Sequence, residues 1–184
     1  MKVVIAMAVM AMCMGAATAK DVDDALLDAL SAKESHGQSG AVGDRHLVYR
    51  AHGEFQIRKP YLDDVMRFVG GRETKATWGK ARLTMADMQD EDKARWVVRK
   101  YLTHYGKVYL CRTGKEPTDE TYARIHNGGP FGWKTSATDG YWADVRRNLR
   151  DVRYQVAMSD LDIQEERMHR FLDDWKLETE IGED

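Results

Sequence analysis

Apolar residues recur at three- and four-residue steps along most of this chain, which is the spacing of amphipathic helices. The clearest stripe places charged residues on its opposite side and predicts a central helix; it consists of Ala94, Val97, Val98, Tyr101, Leu102 and Tyr105. Further helices are predicted over 22–34, 60–69, 118–126 and 138–149. A last helical region, broken near Ser159, carries Leu161, Met168, Leu172 and Trp175 at helical spacing.

Strand patterns are sparse by comparison. The segment 47–50, which precedes Gly53, predicts one arm of a small hairpin. Glycine-rich segments mark the loops, at 37–43, 70–71, 114–117 and 128–132. The chain is therefore expected to be mainly α, with one small hairpin and additional C-terminal helices.

The amino terminus has the pattern of a secretory signal peptide. Met1-Lys2 supplies a positive start, the run 3–17 is apolar and uncharged, and Ala17-Thr18-Ala19 offers a small-x-small cleavage site. Residues 1–19 are therefore predicted to be removed on export, to the periplasm or the outside. The run is short for a bilayer span, so no stable membrane insertion is expected after cleavage. An uncleaved anchor or a buried amino-terminal helix is the alternative.

The remaining chain has a length that suits one compact domain. We expect that domain over 20–150, with a helical extension over 151–184 that packs on the same domain and ends in an acidic tail. Cys13 leaves with the signal peptide and Cys111 remains, so no intramolecular disulfide is expected. A formal net charge of −2, with both signs mixed, argues against nucleic-acid binding. A monomer is expected.

Glu34 is the first candidate for chemistry. It extends the apolar stripe of Leu26, Leu27 and Leu30, so the pattern places a carboxyl group at the edge of a buried face where the helix ends. Desolvation disfavours the charged form of a carboxyl group, which is what a general acid requires. An exposed Glu in a frayed last turn explains this helix equally well.

Four motifs change that balance. Glu34-Ser35, the run 53–57 (Gly-Glu-Phe-Gln-Ile), the run 123–130 (Ala-Arg-Ile-His-Asn-Gly-Gly-Pro) and Tyr141-Trp142 resemble the invertebrate-type lysozymes, also called the destabilase family. More loosely, their order resembles the goose-type lysozymes and lytic transglycosylases. The resemblance covers about residues 25–145 and implies a lysozyme-like fold with a substrate cleft. It also implies cleavage of peptidoglycan glycan strands between N-acetylmuramic acid and N-acetylglucosamine.

The resemblance assigns two carboxylates. Glu34 falls where the family keeps its proton donor, and Asp44 is the available second carboxylate, although it lies nearer Glu34 in sequence than the family pattern leads one to expect. Such a second group stabilises the oxocarbenium-like centre or positions water. Asp44 could instead be a turn residue, because a Gly-Asp pair such as Gly43-Asp44 is common in turns. Without it, the muramic 6-hydroxyl attacks internally and gives a 1,6-anhydro product, as in a lytic transglycosylase.

Sugar contacts are predicted mainly from the second glycine-rich motif. Glycines let the backbone approach a sugar closely, and Asn127 offers both a donor and an acceptor to an N-acetyl group. A helix C-cap explains Asn127-Gly128 equally well. The predicted substrate-binding residues are Gln56, His126, Asn127, Gly128, Gly129 and Tyr141.

Two other functional classes stay open. An exported glycan-binding protein would keep the fold without turnover, and a structural or inhibitory protein would use the C-terminal helices to cover a partner. The retained Glu34 argues against the first, and a C-terminal apolar stripe more often packs on its own domain. The six histidines show no ligand-like spacing with cysteines or carboxylates, so no metal and no cofactor is predicted.

Overall fold

The computed structural model of the protein describes residues 21–181, and the side chains of residues 21–170. In that part the chain is mainly helical, as predicted: α1 (Asp24–Ser35), α2 (Lys59–Val69), α3 (Gly71–Trp78), α4 (Glu91–Thr113), α5 (Asp119–Gly128) and α6 (Asp139–Ile181). Short 3-10 segments occupy Met85–Gln89, Gly129–Lys134 and Ser136–Thr138. Strands β1 (Val42–Gly43) and β2 (Ala51–His52) form the small antiparallel hairpin, with Val42 opposite His52.

Helix α4 is the centre of the core, which confirms the prediction from its apolar stripe. Val97, Val98 and Leu102 have no exposed area, and the helix contacts α1, α2 and α5. Its ends follow ordinary capping chemistry. The side chain of Asp90 accepts from the backbone N–H of Lys93, and Gly114 ends the helix in the left-handed conformation.

Helix α1 carries Glu34 in its last turn. The helix begins where the carboxylate of Asp23 accepts a 2.8 Å hydrogen bond from the backbone N–H of Leu26. The predicted leucine stripe, Leu26, Leu27 and Leu30, is fully buried. The helix ends at His36, which adopts the left-handed conformation at φ 55°. Glu34 therefore stands where a buried helix face meets the surface.

The hairpin lies elsewhere than predicted. Residues 47–49 form bends rather than a strand, Arg50 lies in no regular element, and Val48 is 92% exposed. The two strands lie on either side of this segment, at Val42–Gly43 and Ala51–His52. A short apolar run becomes a strand only where it finds a surface to cover, and Val48 covers none.

Three helical boundaries also differ from the predictions. Helix α6 continues through Ser159 without a break. Helix α3 is not among the predicted helices, because the Gly70-Gly71 pair indicates a loop in the sequence, whereas Gly70 joins α2 to α3 with φ 79°. The glycine segment 128–132 is not an open loop either, since α5 includes Gly128 and a 3-10 segment follows it.

The chain divides into two compact units between Leu149 and Arg150. The second unit contains the rest of α6, and large apolar side chains exposed on its described part are Tyr154, Val156, Met158, Leu161, Ile163 and Met168. The predicted packing of 151–184 on the first unit stays a prediction. The predicted signal peptide, 1–19, lies outside the described residues. Among residues 21–181, no helix has the length and apolar character needed to cross a membrane.

Gly53 joins the hairpin to the core and yields a stability prediction. Its φ is +74°, and a Cβ placed there would lie 1.8 Å from the Met88 carbonyl oxygen. Gly79 has a similar φ of +70° but open space around the same position. We expect Gly53→Ala to lower the free energy of unfolding by about 3 kcal/mol or more, and Gly79→Ala by about 1–2 kcal/mol, the cost of left-handed backbone alone. Urea unfolding measures both, and equal losses would contradict the role of the Met88 contact.

Candidate active site

A cleft of about 630 Å³ brings the two predicted carboxylates to one surface. Glu34 reaches it from α1, and Asp44 from the loop after β1. The hairpin, the turn after β2, helices α2, α4 and α5 and the 3-10 segment after α5 supply the rest of its walls. The other lining residues are Gly43, Ala51, Phe55, Gln56, Ile57, Arg58, Pro60, Tyr61, Asp64, Tyr101, His126, Asn127, Gly129 and Pro130.

Glu34 is held by partners from two distant helices. Its Oε1 accepts a 2.8 Å hydrogen bond from the Tyr141 hydroxyl on α6 and lies 3.6 Å from Nε2 of His126 on α5. The Glu34 side chain is 19% exposed, so it is partly desolvated but still open to the cleft. Because Tyr141 occupies Oε1, the other carboxyl oxygen is available to carry a proton.

The groups around Glu34 are kept neutral. Burial lowers the pKa of His126, although the nearby Glu34 and a hydrogen bond with the Phe55 backbone act in the opposite direction. Burial likewise raises the pKa of Tyr61 and of Tyr141 well above the ordinary value. Near neutral pH, Glu34 is therefore surrounded by an imidazole and phenols, which are hydrogen-bonding groups without net charge.

Tyr61 supports His126 from the opposite side. Its hydroxyl lies 3.3 Å from His126 Nδ1, and its ring stacks on Tyr101 with the ring centroids 3.6 Å apart. Neither tyrosine is among the residues that the sequence predicts for the cleft. The signal was available in part, because Lys59-Pro60-Tyr61 follows directly after the Gly-x-x-Gln-Ile motif.

Asp44 serves both as a turn residue and as a wall of the cleft. Its φ is 49°, and its carboxylate forms an ion pair with Arg58, whose Nε lies 3.1 Å from Oδ2. The Asp44 side chain is 30% exposed. The ion pair restrains the Asp44 carboxylate and offsets its negative charge. The spacing of residues in the sequence does not indicate this ion pair.

Asp64 is a third carboxylate in the cleft that sequence analysis missed. It lies on α2 and accepts a 2.9 Å hydrogen bond from the Tyr105 hydroxyl. Arg67, one helical turn later, lies 2.9 Å from its other oxygen. Helical periodicity predicts α2 but does not show that Asp64 faces the same space as Glu34.

Four of the six predicted sugar-contacting residues line the cleft: Gln56, His126, Asn127 and Gly129. Tyr141 is not part of the cleft lining but donates a hydrogen bond to Glu34. Gly128 packs towards Thr138, since a Cβ there would lie 2.7 Å from the Thr138 methyl carbon. The structure thus gathers most of the predicted set and assigns Gly128 to packing.

A second cavity, of about 550 Å³, meets the first at Glu34, Gly43 and Gln56. It continues along His36, Gln38 and the loop to Arg45. Glu34 therefore borders open space on two sides, an arrangement that suits a long polymer. Within the described residues, no group of three or more His, Cys, Asp or Glu side chains could hold a metal ion.

Solved structures resemble this fold. Tapes japonica lysozyme superposes with a TM-score of 0.52 and 27% identity, over 69% of this chain and 91% of that one. A chain from the crystal structure of Aeromonas hydrophila PliI in complex with Meretrix lusoria lysozyme gives a TM-score of 0.54 and 25% identity, over 68% of this chain and 89% of its own length.

Sequence relatives agree with these structures. No family model matches the chain. Invertebrate-type lysozyme 3 of Caenorhabditis elegans is 34% identical over 96 residues, which is 51% of this chain and 63% of that protein, a little under two thirds. A lysozyme of Ostrea edulis is 32% identical over 127 residues, which is 68% of this chain and 80% of that protein. The chain belongs to the invertebrate-type lysozyme family.

Proposed function

We propose that this protein is a muramidase, which hydrolyses the bond between N-acetylmuramic acid and N-acetylglucosamine in peptidoglycan, with Glu34 as the proton donor. The observation that carries the proposal is the setting of Glu34. It is partly desolvated at the end of α1, hydrogen-bonded on one oxygen by Tyr141, and borders both cavities. A glycan strand that crosses these cavities would present its glycosidic oxygen to the free carboxyl oxygen.

Neutral surroundings support the acid role. A cation beside Glu34 would favour the carboxylate and remove the proton that the leaving oxygen needs. His126 is the basic side chain that contacts Glu34, and burial lowers its pKa. No positive charge therefore lies on His126 beside Glu34 near neutral pH.

We assign the second carboxylate role to Asp44. A carboxylate in the cleft stabilises the positive charge that develops on the sugar ring as the bond breaks. Arg58 holds Asp44 in place. The same ion pair favours one alternative, because a carboxylate already paired with arginine stabilises a second cation less. In that case the muramic 6-hydroxyl attacks, and the protein is a lytic transglycosylase that releases 1,6-anhydro ends.

Substrate contacts follow from the lining residues. Gln56, Asn127 and the Gly129 backbone offer hydrogen-bonding groups along the walls of the cleft, which suits the N-acetyl groups of both sugars. We further propose that the protein acts after export, since its substrate lies outside the cytoplasmic membrane, and that it acts as a monomer. The signal-peptide pattern at residues 1–19 supports the export.

Replacing Glu34 tests the central claim. Glu34→Gln keeps the side-chain shape but removes the transferable proton, so we expect the release of muropeptides from purified sacculi to fall by at least about a thousandfold. Mass spectrometry measures the amount of product and identifies its chemistry, because reducing ends indicate hydrolysis and 1,6-anhydro ends indicate transglycosylation.

Glu116→Gln, at an exposed site outside both cavities, is the matched control. Normal release by folded Glu34→Gln would refute the assignment, and no release by the wild type would favour a glycan-binding protein.

Asp44→Asn separates hydrolysis from the alternative. If Asp44 stabilises the positive centre, we expect a rate at least about a hundredfold lower on soluble glycan oligomers. Arg58→Gln serves as the companion variant, since it removes the same ion pair and leaves the carboxylate. A loss of only a few-fold in Asp44→Asn, together with anhydro products from the wild type, would support the single-carboxylate mechanism.

We expect the charge state of His126 to set the acidic limb of the pH–rate profile. Its pKa is lowered by burial, so the imidazole is neutral at neutral pH and becomes charged only below its ordinary value of about 6.5. That cation, 3.6 Å from Glu34 Oε1, would place a positive charge near the sugar ring, where positive charge develops as the bond breaks, so the rate should fall as the pH decreases. We expect His126→Gln to move the acidic limb to lower pH. If Asp44→Asn moves that limb and His126→Gln leaves it in place, the limb belongs to Asp44.

A further inference from the structure

Glu54 is a buried carboxyl group at the turn that follows β2, next to the cleft. Its side chain lies outside the lining surface, and the residue is 4% exposed. Oε2 accepts a 2.7 Å hydrogen bond from the Ser31 hydroxyl, and the backbone oxygen of Glu54 accepts a 2.9 Å hydrogen bond from the Ser35 hydroxyl. Both serines belong to α1 and flank Glu34. Glu54 thus joins the turn to the part of α1 that carries the acid.

The other oxygen of Glu54 lacks a hydrogen bond. Oε1 is buried without a partner, and the nearest cation is Arg95 on α4, whose Nε lies 3.7 Å away. Arg95 also pairs with Asp28 on α1 and with Glu91 on α4. Burial raises the pKa of Glu54, while Ser31 and Arg95 act in the opposite direction and the negative charges of Glu91 and Asp28 add to the rise.

Burying a carboxylate that is incompletely paired costs free energy, so other side chains would hold this loop at a lower cost. Replacing such a group by one of similar shape without charge is often neutral for stability or improves it. The residues after Glu54 explain what the position serves. The backbone of Phe55 forms a hydrogen bond with His126, and Gln56 lines both cavities. One turn therefore touches α1, His126 and the cleft.

We propose that Glu54 is a positioning residue, whose carboxylate, held between Ser31 and Arg95, fixes the last turn of α1 against the β2 turn and so sets Glu34 relative to His126 and Gln56. This inference rests on the proposed function of Glu34. It assigns Glu54 no contact with the substrate. Its effect should appear in the turnover number, because a small displacement of a catalytic group lowers the rate of the chemical step more than it lowers binding.

Three variants test the proposal by kinetics. Glu54→Gln keeps the shape and removes the charge, and Ser31→Ala removes the tie to α1 while it keeps the charge. We expect kcat to fall at least about tenfold in both, with KM within about twofold of the wild type. Glu91→Gln is the matched control, since Glu91 pairs with the same arginine but is 63% exposed, and its kcat should be unchanged. Wild-type kcat in folded Glu54→Gln would overturn the proposal.

Thermal unfolding separates positioning from a structural role. The folded-state pKa of Glu54 is raised, so its ionisation opposes folding increasingly as the pH rises through that value. The difference in Tm between Glu54→Gln and the wild type should therefore shift in favour of Gln as the pH rises above the ordinary glutamate value of about 4.5. A variant that is as stable as the wild type at pH 8 but turns over more slowly fits the positioning role. A Tm that falls in parallel with kcat would assign Glu54 to stability alone.

NMR titration of His126 tests the geometry even if the protein proves to have no turnover. Glu34 raises the pKa of His126, so Glu34→Gln should lower it and provides the reference. We expect Glu54→Gln and Ser31→Ala to lower the His126 pKa by a smaller amount, because each relaxes the Glu34–His126 contact. Glu91→Gln should leave it unchanged. An unaltered His126 pKa in Ser31→Ala, with the charge of Glu54 still present, would refute the positioning role independently of the muramidase assignment.

Discussion

The packing of α1 against α4 is the constraint from which the site follows. The leucines of α1 are fully buried in the core that is centred on α4, and the last residue of the helix, Ser35, follows Glu34 directly. Each fully buried leucine contributes about 1.5–3 kcal/mol. The same packing carries Glu34 to the edge of the core, where Tyr141 and His126 reach it from helices far along the chain. Stability and the placement of the acid thus depend on one interface.

Burial also determines the charges of the site. His126, Tyr61 and Tyr141 are desolvated, and in each case burial is the largest cause of a pKa shift that favours the neutral form. Glu34 is therefore surrounded by groups that form hydrogen bonds without a competing charge. Glu54, which lies near Arg95 and accepts a hydrogen bond from Ser31 of α1, uses its charge for a different purpose, which is to hold the helix and the hairpin turn together.

Unusual backbone conformations are concentrated around the same residue. Among the residues that the structure describes, three non-glycine residues have positive φ: His36, Asp44 and Gln56. All three line a cavity that Glu34 also borders. Such conformations cost about 1–3 kcal/mol each and persist only where their surroundings hold them. The hairpin is short, and its role is to present these side chains to the cleft.

Periodicity and motif determined the mainly helical fold, the central helix and the choice of Glu34, because an apolar stripe and a linear motif are properties of neighbouring residues. The prediction of a strand at 47–50 is wrong and α3 is not predicted, since the structure that a short apolar run or a glycine pair adopts depends on the residues that pack against it. Tertiary structure alone decided that Asp44 pairs with Arg58, that Asp64 joins the cleft and that Glu54 ties two elements together. Contacts of this kind join residues that are far apart in sequence, from 14 positions for Asp44–Arg58 to 107 positions for Glu34–Tyr141. The spacing of apolar residues shows which face of a helix is buried, but it does not show which distant side chain that face contacts.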